Sequence, residues 1–322
     1  MIHYDQKFER SDKTPPDLEL LAARVTRHPH TGARLNTISL VSGGYSNINA
    51  RVTFEDGGVA LLRHRSSDTD ILAIEAAIMK RAAEVVSTPA ILASGQDWLL
   101  LEWIDGERVD TLFEDEASRE HWEQLAAVCG EALAKIHRLT MPSCGFFDDK
   151  LQIADALSGA GRGILDYIEQ CCDHPTVRER LHPRIDAVRR HIEQHERRFT
   201  ALDEQIALVH SDYNTKNLLA ARDERGEWHI TVLDWEFAFA GSPMMDLGNF
   251  LRFEHERPHD VARAFTRGYE RERGAPLHPE WRLDARLMDL ASMLSFLARE
   301  ELSPRTESTA LGVIDRTLAS AR

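Results

Sequence analysis

The hydrophobic pattern changes character close to Gly106, and that change limits the folds open to the chain. Upstream, apolar residues come in short runs. Ile48, Ala50, Val52 and Phe54 alternate with polar neighbours, the signature of a half-buried strand. A shorter strand candidate, Ile38–Val41, comes before it, followed by the turn-like Ser42-Gly43-Gly44. Asp56-Gly57-Gly58 supplies a hairpin turn into Val59–Arg63. Ser66, Ser67 and Asp68 are capping candidates for a helix reaching to about Val86. Trp98–Ile104 is a further apolar strand. Downstream, long amphipathic stretches dominate, at about 117–138, 164–171, 176–198, 258–273 and 283–300. Two short β-type runs, Ile206–Val209 and Ile230–Leu233, interrupt them, and residues 157–163 (LSGAGRG) form a glycine-rich loop between helices. The pattern predicts an α+β, bilobal chain. Residues 1–104 form a small antiparallel β-lobe with one key helix, residues 105–322 form a larger helical lobe, and the linker lies near 104–110. At 322 residues, each lobe is large enough to bury its own core.

Bulk properties exclude several classes. No apolar run approaches the ~20 residues needed to cross a bilayer, and MIHYDQKFERSDK lacks the basic-then-apolar layout of a signal peptide. Cys129, Cys144, Cys171 and Cys172 include a vicinal pair and no C-x-x-C, which fits neither a zinc ribbon nor a disulfide framework and points to a reducing cytoplasm. Acidic residues exceed basic ones by 53 to 39, for a net charge of −14. Such a field repels nucleic acid and concentrates cationic small molecules, but it serves solubility equally well. Nothing in the sequence specifies an oligomeric state.

The chemistry concentrates between residues 210 and 236, in HSDYNTKN and ITVLDWE. Asp212 precedes Asn217 by five positions, and Asp234 ends an apolar β-type run. Oxygen ligands in this arrangement suit an enzyme that orients a hydroxyl through Asp212 and holds magnesium through Asn217 and Asp234. Positioning and charge neutralisation supply most of the catalysis in phosphoryl transfer, so few protein groups are needed. The small lobe offers matching parts. Ser42, Gly43, Gly44 and Ser46 form a turn whose backbone amides could cradle a phosphate, although the same letters serve as a plain hairpin turn. Arg63 ends a strand. Glu75 sits on the stripe Ile71, Glu75, Ile78, Ala82 of the following helix, an inward face where a carboxylate needs a cationic partner. Arg65 has no comparable claim. The backbone of Glu102, Trp103 and Ile104 would meet an adenine edge.

Other letters carry less. His210 reads as a brace for the loop. Asp246, in SPMMDLGNF, reads as a helix cap or a further brace. His255-Glu256-Arg257-Pro258-His259 matches H-E-x-x-H, but Pro258 breaks the helix that zinc chemistry requires. His210-Ser211-Asp212 cannot form a hydrolase relay from consecutive residues.

Taken in order, these segments resemble the aminoglycoside phosphotransferase family, relatives of choline kinases with a protein-kinase-like fold, from about Leu40 to Leu251. HSDYNTKN is similar to the family pattern H-G-D-x-x-x-x-N, with Ser211 in place of glycine, and LDWE to its metal segment. Asp246-Leu247, SGGYSN and Glu75 match its remaining landmarks. The resemblance implies Asp212 as base, Asn217 and Asp234 as metal ligands, an Arg63–Glu75 pair at the phosphates, and ATP (or GTP) with Mg2+ as cofactors. Arg63 stands where many relatives carry Lys. Asn214 occupies the place of a phosphate-binding Lys in protein kinases, with Lys216 two residues on. The implied reaction is phosphorylation of a small-molecule hydroxyl, with antibiotic inactivation one common role. A cationic acceptor, aminoglycoside-like or a basic peptide, would be met by Glu236, Asp289, Glu300 and Glu301. Kinases of sugars, choline-like alcohols or amino alcohols share the motifs, and so would a silent nucleotide-binding regulator.

Overall fold

Alternation along residues 35–64 produces three antiparallel strands, β1 (Leu35–Leu40), β2 (Ile48–Phe54) and β3 (Val59–His64). The structure, a computed structural model, describes residues 17–41, 47–65 and 70–320. Ser42, Gly43, Gly44 and Ser46 of the predicted phosphate turn lie outside the described residues, as do the capping candidates Ser66, Ser67 and Asp68. A short helix not anticipated from the sequence, α1 (Leu18–Arg24), precedes the sheet, with Asp17 accepting from the amides of Glu19 and Leu20 as its N-cap. After β3 come α2 (Asp70–Ala82), β4 (Ile91–Ser94) and β5 (Trp98–Glu102), giving the sheet order β1-β2-β3-β5-β4. The uninterrupted apolar run of β5 follows from burial on both faces. Leu99 and Leu101 pack with Leu72, Ile78 and Met79 of α2, whereas Leu100 packs with Val52, Leu62 and Leu21 on the other side.

The second lobe begins with β6 (Glu107–Arg108), α3 (Val109–Glu114) and α4 (Trp122–His137). It continues through β7 (Gly145–Phe147), β8 (Ile153–Ala156), α5 (Arg162–Asp173), α6 (Pro175–Leu181), α7 (Ile185–Gln194) and α8 (Glu196–Ala201). The single helix expected over 176–198 is thus three. Pro183, which lacks an amide donor, follows the first break. Next come β9 (Ala207–Val209), β10 (Leu218–Arg222), β11 (Trp228–Val232), β12 (Phe239–Gly241) and the helices α9 (Met244–Leu251), α10 (His259–Arg273), α11 (Trp281–Leu297) and α12 (Pro304–Ala319). Helix α12 was not anticipated. Among the described residues no helix is long and apolar enough to cross a membrane.

Close helix packing positions the site. A Cβ on Gly130 of α4 would lie 2.1 Å from the Phe265 carbonyl oxygen, and one on Gly268 of α10 would lie 2.0 Å from that of Ala127. These glycines let the two backbones touch. α4 thereby carries His137, and α10 carries Tyr269, to the underside of the 210–217 loop. The lobes also meet through Ser87, whose carbonyl accepts from the Val232 amide at 2.9 Å and whose hydroxyl lies 2.9 Å from that of Thr231.

Candidate active site

The loop after β9 is held from below by Asp246. This carboxylate, at the start of α9 and fully buried, accepts the amides of His210 and Ser211, each at 2.7 Å. Three of its acceptor positions are used, because His137 Nε2 lies 3.1 Å away on the Oδ2 side. A carboxylate can only accept, so His137 carries its proton on Nε2, and in the neutral ring Nδ1 accepts from the Tyr269 hydroxyl at 2.9 Å. His210 ties the loop to the second motif. Its Nε2 donates to the Leu233 carbonyl at 2.8 Å, and its Nδ1 accepts from the Asp212 amide at 3.3 Å. The ring therefore braces Asp212 against the residue preceding Asp234.

Both oxygens of Asp212 are oriented by amides. Asn214 Nδ2 donates to Oδ1 at 2.7 Å, and Asn217 Nδ2 donates to Oδ2 at 2.8 Å. Burial pushes the Asp212 carboxyl above its ordinary value, with His210 and Arg252 pulling the other way and Asp234 adding to the rise. A carboxyl so tuned and so aimed is suited to accept or orient a hydroxyl proton. Asn214, which the resemblance cast as a replaced lysine, is thus a clamp on Asp212. It also caps the turn Thr215–Asn217 by accepting from the Lys216 amide. Because Asn217 directs its nitrogen at Asp212, its carbonyl oxygen is the atom it can offer a cation. With Asp234 this makes a hard oxygen donor pair of the kind magnesium accepts, so the residues present fit that ion.

Arg63 joins the two lobes at this point. It makes a short ion pair with Glu75, and its Nη1 lies 3.0 Å from Asp234 Oδ1. Burial opposes charge on Arg63, but Glu75, Asp234 and Glu236 outweigh it and hold the guanidinium protonated more firmly than usual. Glu75, 1% exposed, is pushed up by burial against the opposing pull of Arg63. Arg65, passed over in the sequence, has a partner too: its Nη1 lies 2.7 Å from Glu236 Oε2. At the lobe junction the Glu102 amide donates to the Ala90 carbonyl at 2.8 Å. That amide is therefore closed to an adenine edge, and Trp103 and Ile104 are the next backbone groups along.

Two of the four acceptor candidates are already engaged by arginines. Glu236 is enclosed by Arg65 and Asn47 of the β-lobe, both bonded to its Oε2. Asp289 lies inside α11, 3% exposed, where Arg252 and Asn249 surround its oxygens. A carboxylate so committed would have to give up these buried hydrogen bonds to meet a ligand. Glu300 and Glu301 are exposed beyond α11. The H-E-x-x-H letters divide between a short turn, Glu254–Glu256, and the first residue of α10, so they share no helix face.

This arrangement, with an Asp held by two asparagine amides, two further oxygen donors beside it and a strand Arg paired to a helix Glu, coincides with a family assignment. The sequence model of the APH phosphotransferase enzyme family matches residues 37–283. The chain belongs to that family. No match was found among curated proteins. Solved structures share the fold of this phosphotransferase. Choline kinase from Cryptosporidium parvum superposes with a TM-score of 0.65 at 14% identity, covering 95% of each chain. Macrolide 2'-phosphotransferase MphH from Brachybacterium faecium gives 0.59 at 20% identity, covering 92% of this chain and 97% of its own. A thermostable mutant of aminoglycoside phosphotransferase APH(4)-Ia, in ternary complex with AMP-PNP and hygromycin B, gives 0.66 at 17% identity, covering 94% and 98%.

Proposed function

We propose that this phosphotransferase moves the γ-phosphoryl group of ATP (or GTP), in a magnesium-dependent reaction, onto a hydroxyl of a small molecule. The observation that carries this reading is the Asp212 carboxylate, aimed by Asn214 and Asn217 and braced through His210 to the segment where Asp234 meets Arg63. Asp212 orients the acceptor hydroxyl and takes up its proton. Arg63, held by Glu75, lies against the nucleotide phosphates, and Ser42, Gly43, Gly44 and Ser46 remain the sequence's candidates for contacting them. The backbone at Trp103 and Ile104 receives the base. Asn217 and Asp234 would hold magnesium, which supplies charge neutralisation for the phosphates when bound. The AMP-PNP and hygromycin B seen in the APH(4)-Ia mutant support a site for a nucleotide plus a small-molecule acceptor.

The acceptor class stays broad. A net charge of −14 favours a cationic antibiotic, but with Glu236 and Asp289 engaged by arginines, only Glu300 and Glu301 remain of the carboxylates assigned to it. Sugars and amino alcohols are equally hydroxylated. Four free, buried cysteines support work in a reducing cytoplasm.

Nucleotide comes first in the test. MgATP should raise the melting temperature, since a ligand bound only by the folded state stabilises it. ADP release is then followed with aminoglycosides, basic peptides, sugars and amino alcohols. Asp212→Ala and Asp234→Ala should each lower the rate by roughly a hundredfold or more. A protein whose melting temperature ignores both MgATP and MgGTP is not a kinase.

A further inference from the structure

We propose that Arg65 and Glu236 are positioning residues that lock the paired ends of β2 and β3 to the segment carrying Asp234. The role rests on reading the site as one for MgATP. Three side chains close a ring. Arg65 Nη1 donates to Glu236 Oε2 at 2.7 Å and to Asn47 Oδ1 at 3.3 Å, while Asn47 Nδ2 donates to the same Glu236 oxygen at 3.3 Å. All are enclosed: Asn47 is 3% exposed, and the side chains of Arg65 and Glu236 are 13% and 5% exposed. Charges this poorly hydrated interact more strongly than a surface pair does.

Topology gives the ring its meaning. Ile48 pairs with His64 across β2 and β3, so Asn47 and Arg65 occupy the next rung, just beyond the paired strand ends. Arg63 and Arg65 are two apart on one strand run and so face the same way. Arg63 reaches Asp234 and Arg65 reaches Glu236, which are also two apart. Together with the Ser87 contacts to Thr231 and Val232, the two arginines hold the end of β3 in register with residues 234–236. Glu236 therefore acts through Arg65 and Asn47 on the nucleotide, not on the acceptor.

The full-length protein is titrated with MgATP, and amide exchange at residues 47–50 is followed without ligand. Arg65→Met and Glu236→Gln should each weaken MgATP binding roughly tenfold, in line with loss of one charge-assisted hydrogen bond. Both should speed exchange at 47–50. The double variant should bind no worse than the weaker single, because both changes remove one interaction. Arg65→Lys, which keeps the charge, should recover most of the affinity, and guards against a methionine variant that fails to fold. The proposal is overturned if Arg65→Met binds and exchanges like the wild type while Glu236→Gln alone is impaired. That result would make Glu236 a direct metal or ligand contact. Losses that multiply in the double variant, or an Arg65→Lys protein as weak as Arg65→Met, overturn it as well. A wild-type protein that binds no MgATP removes the reading of the site itself, and this role with it.

Discussion

Ser211 and Asp234 hold left-handed backbone, with φ of 65° and 64°. For a residue with a Cβ that conformation costs roughly 1–2 kcal/mol, and here it falls just before Asp212 and at Asp234, in the proposed active site, where strain tends to collect. The Asp246 bond to the Ser211 amide holds the first turn in place. It also gives a physical reason for the glycine that the family pattern carries at this position. Ser211→Gly should therefore stabilise the protein by up to about 1 kcal/mol in urea unfolding, and Ser211→Val should destabilise it by about 1–2 kcal/mol. Equal midpoints for all three proteins would sink the strain account. Asp212, Asn217 and Asp234 stand out as candidates in the sequence because one loop and one strand end carry them at short, fixed spacing. His210 and Asp246 could be read as braces for the same reason. The Arg65–Glu236 pair and the Asn214 clamp could not: the first depends on how β3 sits against a loop 171 residues away, and the second on a side-chain direction that spacing does not encode.

Helix periodicity located most of the second lobe but misjudged its joints. The stretch 176–198 keeps an amphipathic pattern across His182 and Pro183, so its division into α6, α7 and α8 is visible only in space. Glycines inside helices mislead in the opposite sense, since propensity alone marks them as weak points. In α4 and α10, Gly130 and Gly268 are contact points, each facing a backbone carbonyl of the other helix. Gly130→Ala or Gly268→Ala would remove a helix penalty of about 1 kcal/mol, yet would force the two helices apart by overpacking, at a cost of about 1–3 kcal/mol. The clash is with backbone at 2.1 and 2.0 Å, which no rotamer change relieves. Overpacking should win, and both variants should unfold at lower urea concentration than the wild type. Since α4 and α10 also carry His137 and Tyr269 beneath Asp246, the nucleotide-dependent thermal shift should fall in the same variants. An unchanged or raised midpoint would show that the helices separate freely.

Between the lobes the charges are unevenly matched. Arg63 faces Glu75 and Asp234, with Glu236 close enough to act on it as well, and Arg65 neutralises only the last of these. Glu75 shares its cation from a fully buried position. Burial therefore prevails over Arg63, Asp234 and Glu236 add to the rise, and the carboxyl is pushed up to about 7 from an ordinary 4.5. A carboxyl with a folded-state value above its unfolded one binds its proton more tightly in the folded protein. Its contribution to stability is complete below the unfolded value and is lost as pH rises through the folded value. For the ligand-free protein, that window runs from 4.5 to about 7. Glu75→Gln keeps the shape of the side chain and cannot ionise. Melting temperatures of the two proteins, taken across that window, report the titration of Glu75 together with its coupling to Arg63, Asp234 and Glu236. The wild type should lose ground to Glu75→Gln steadily as pH rises through the window, and the gap should become constant above it. A gap that stays level throughout would mean that Arg63 belongs to Glu75 outright, and that Asp234 stands beside it without sharing its charge.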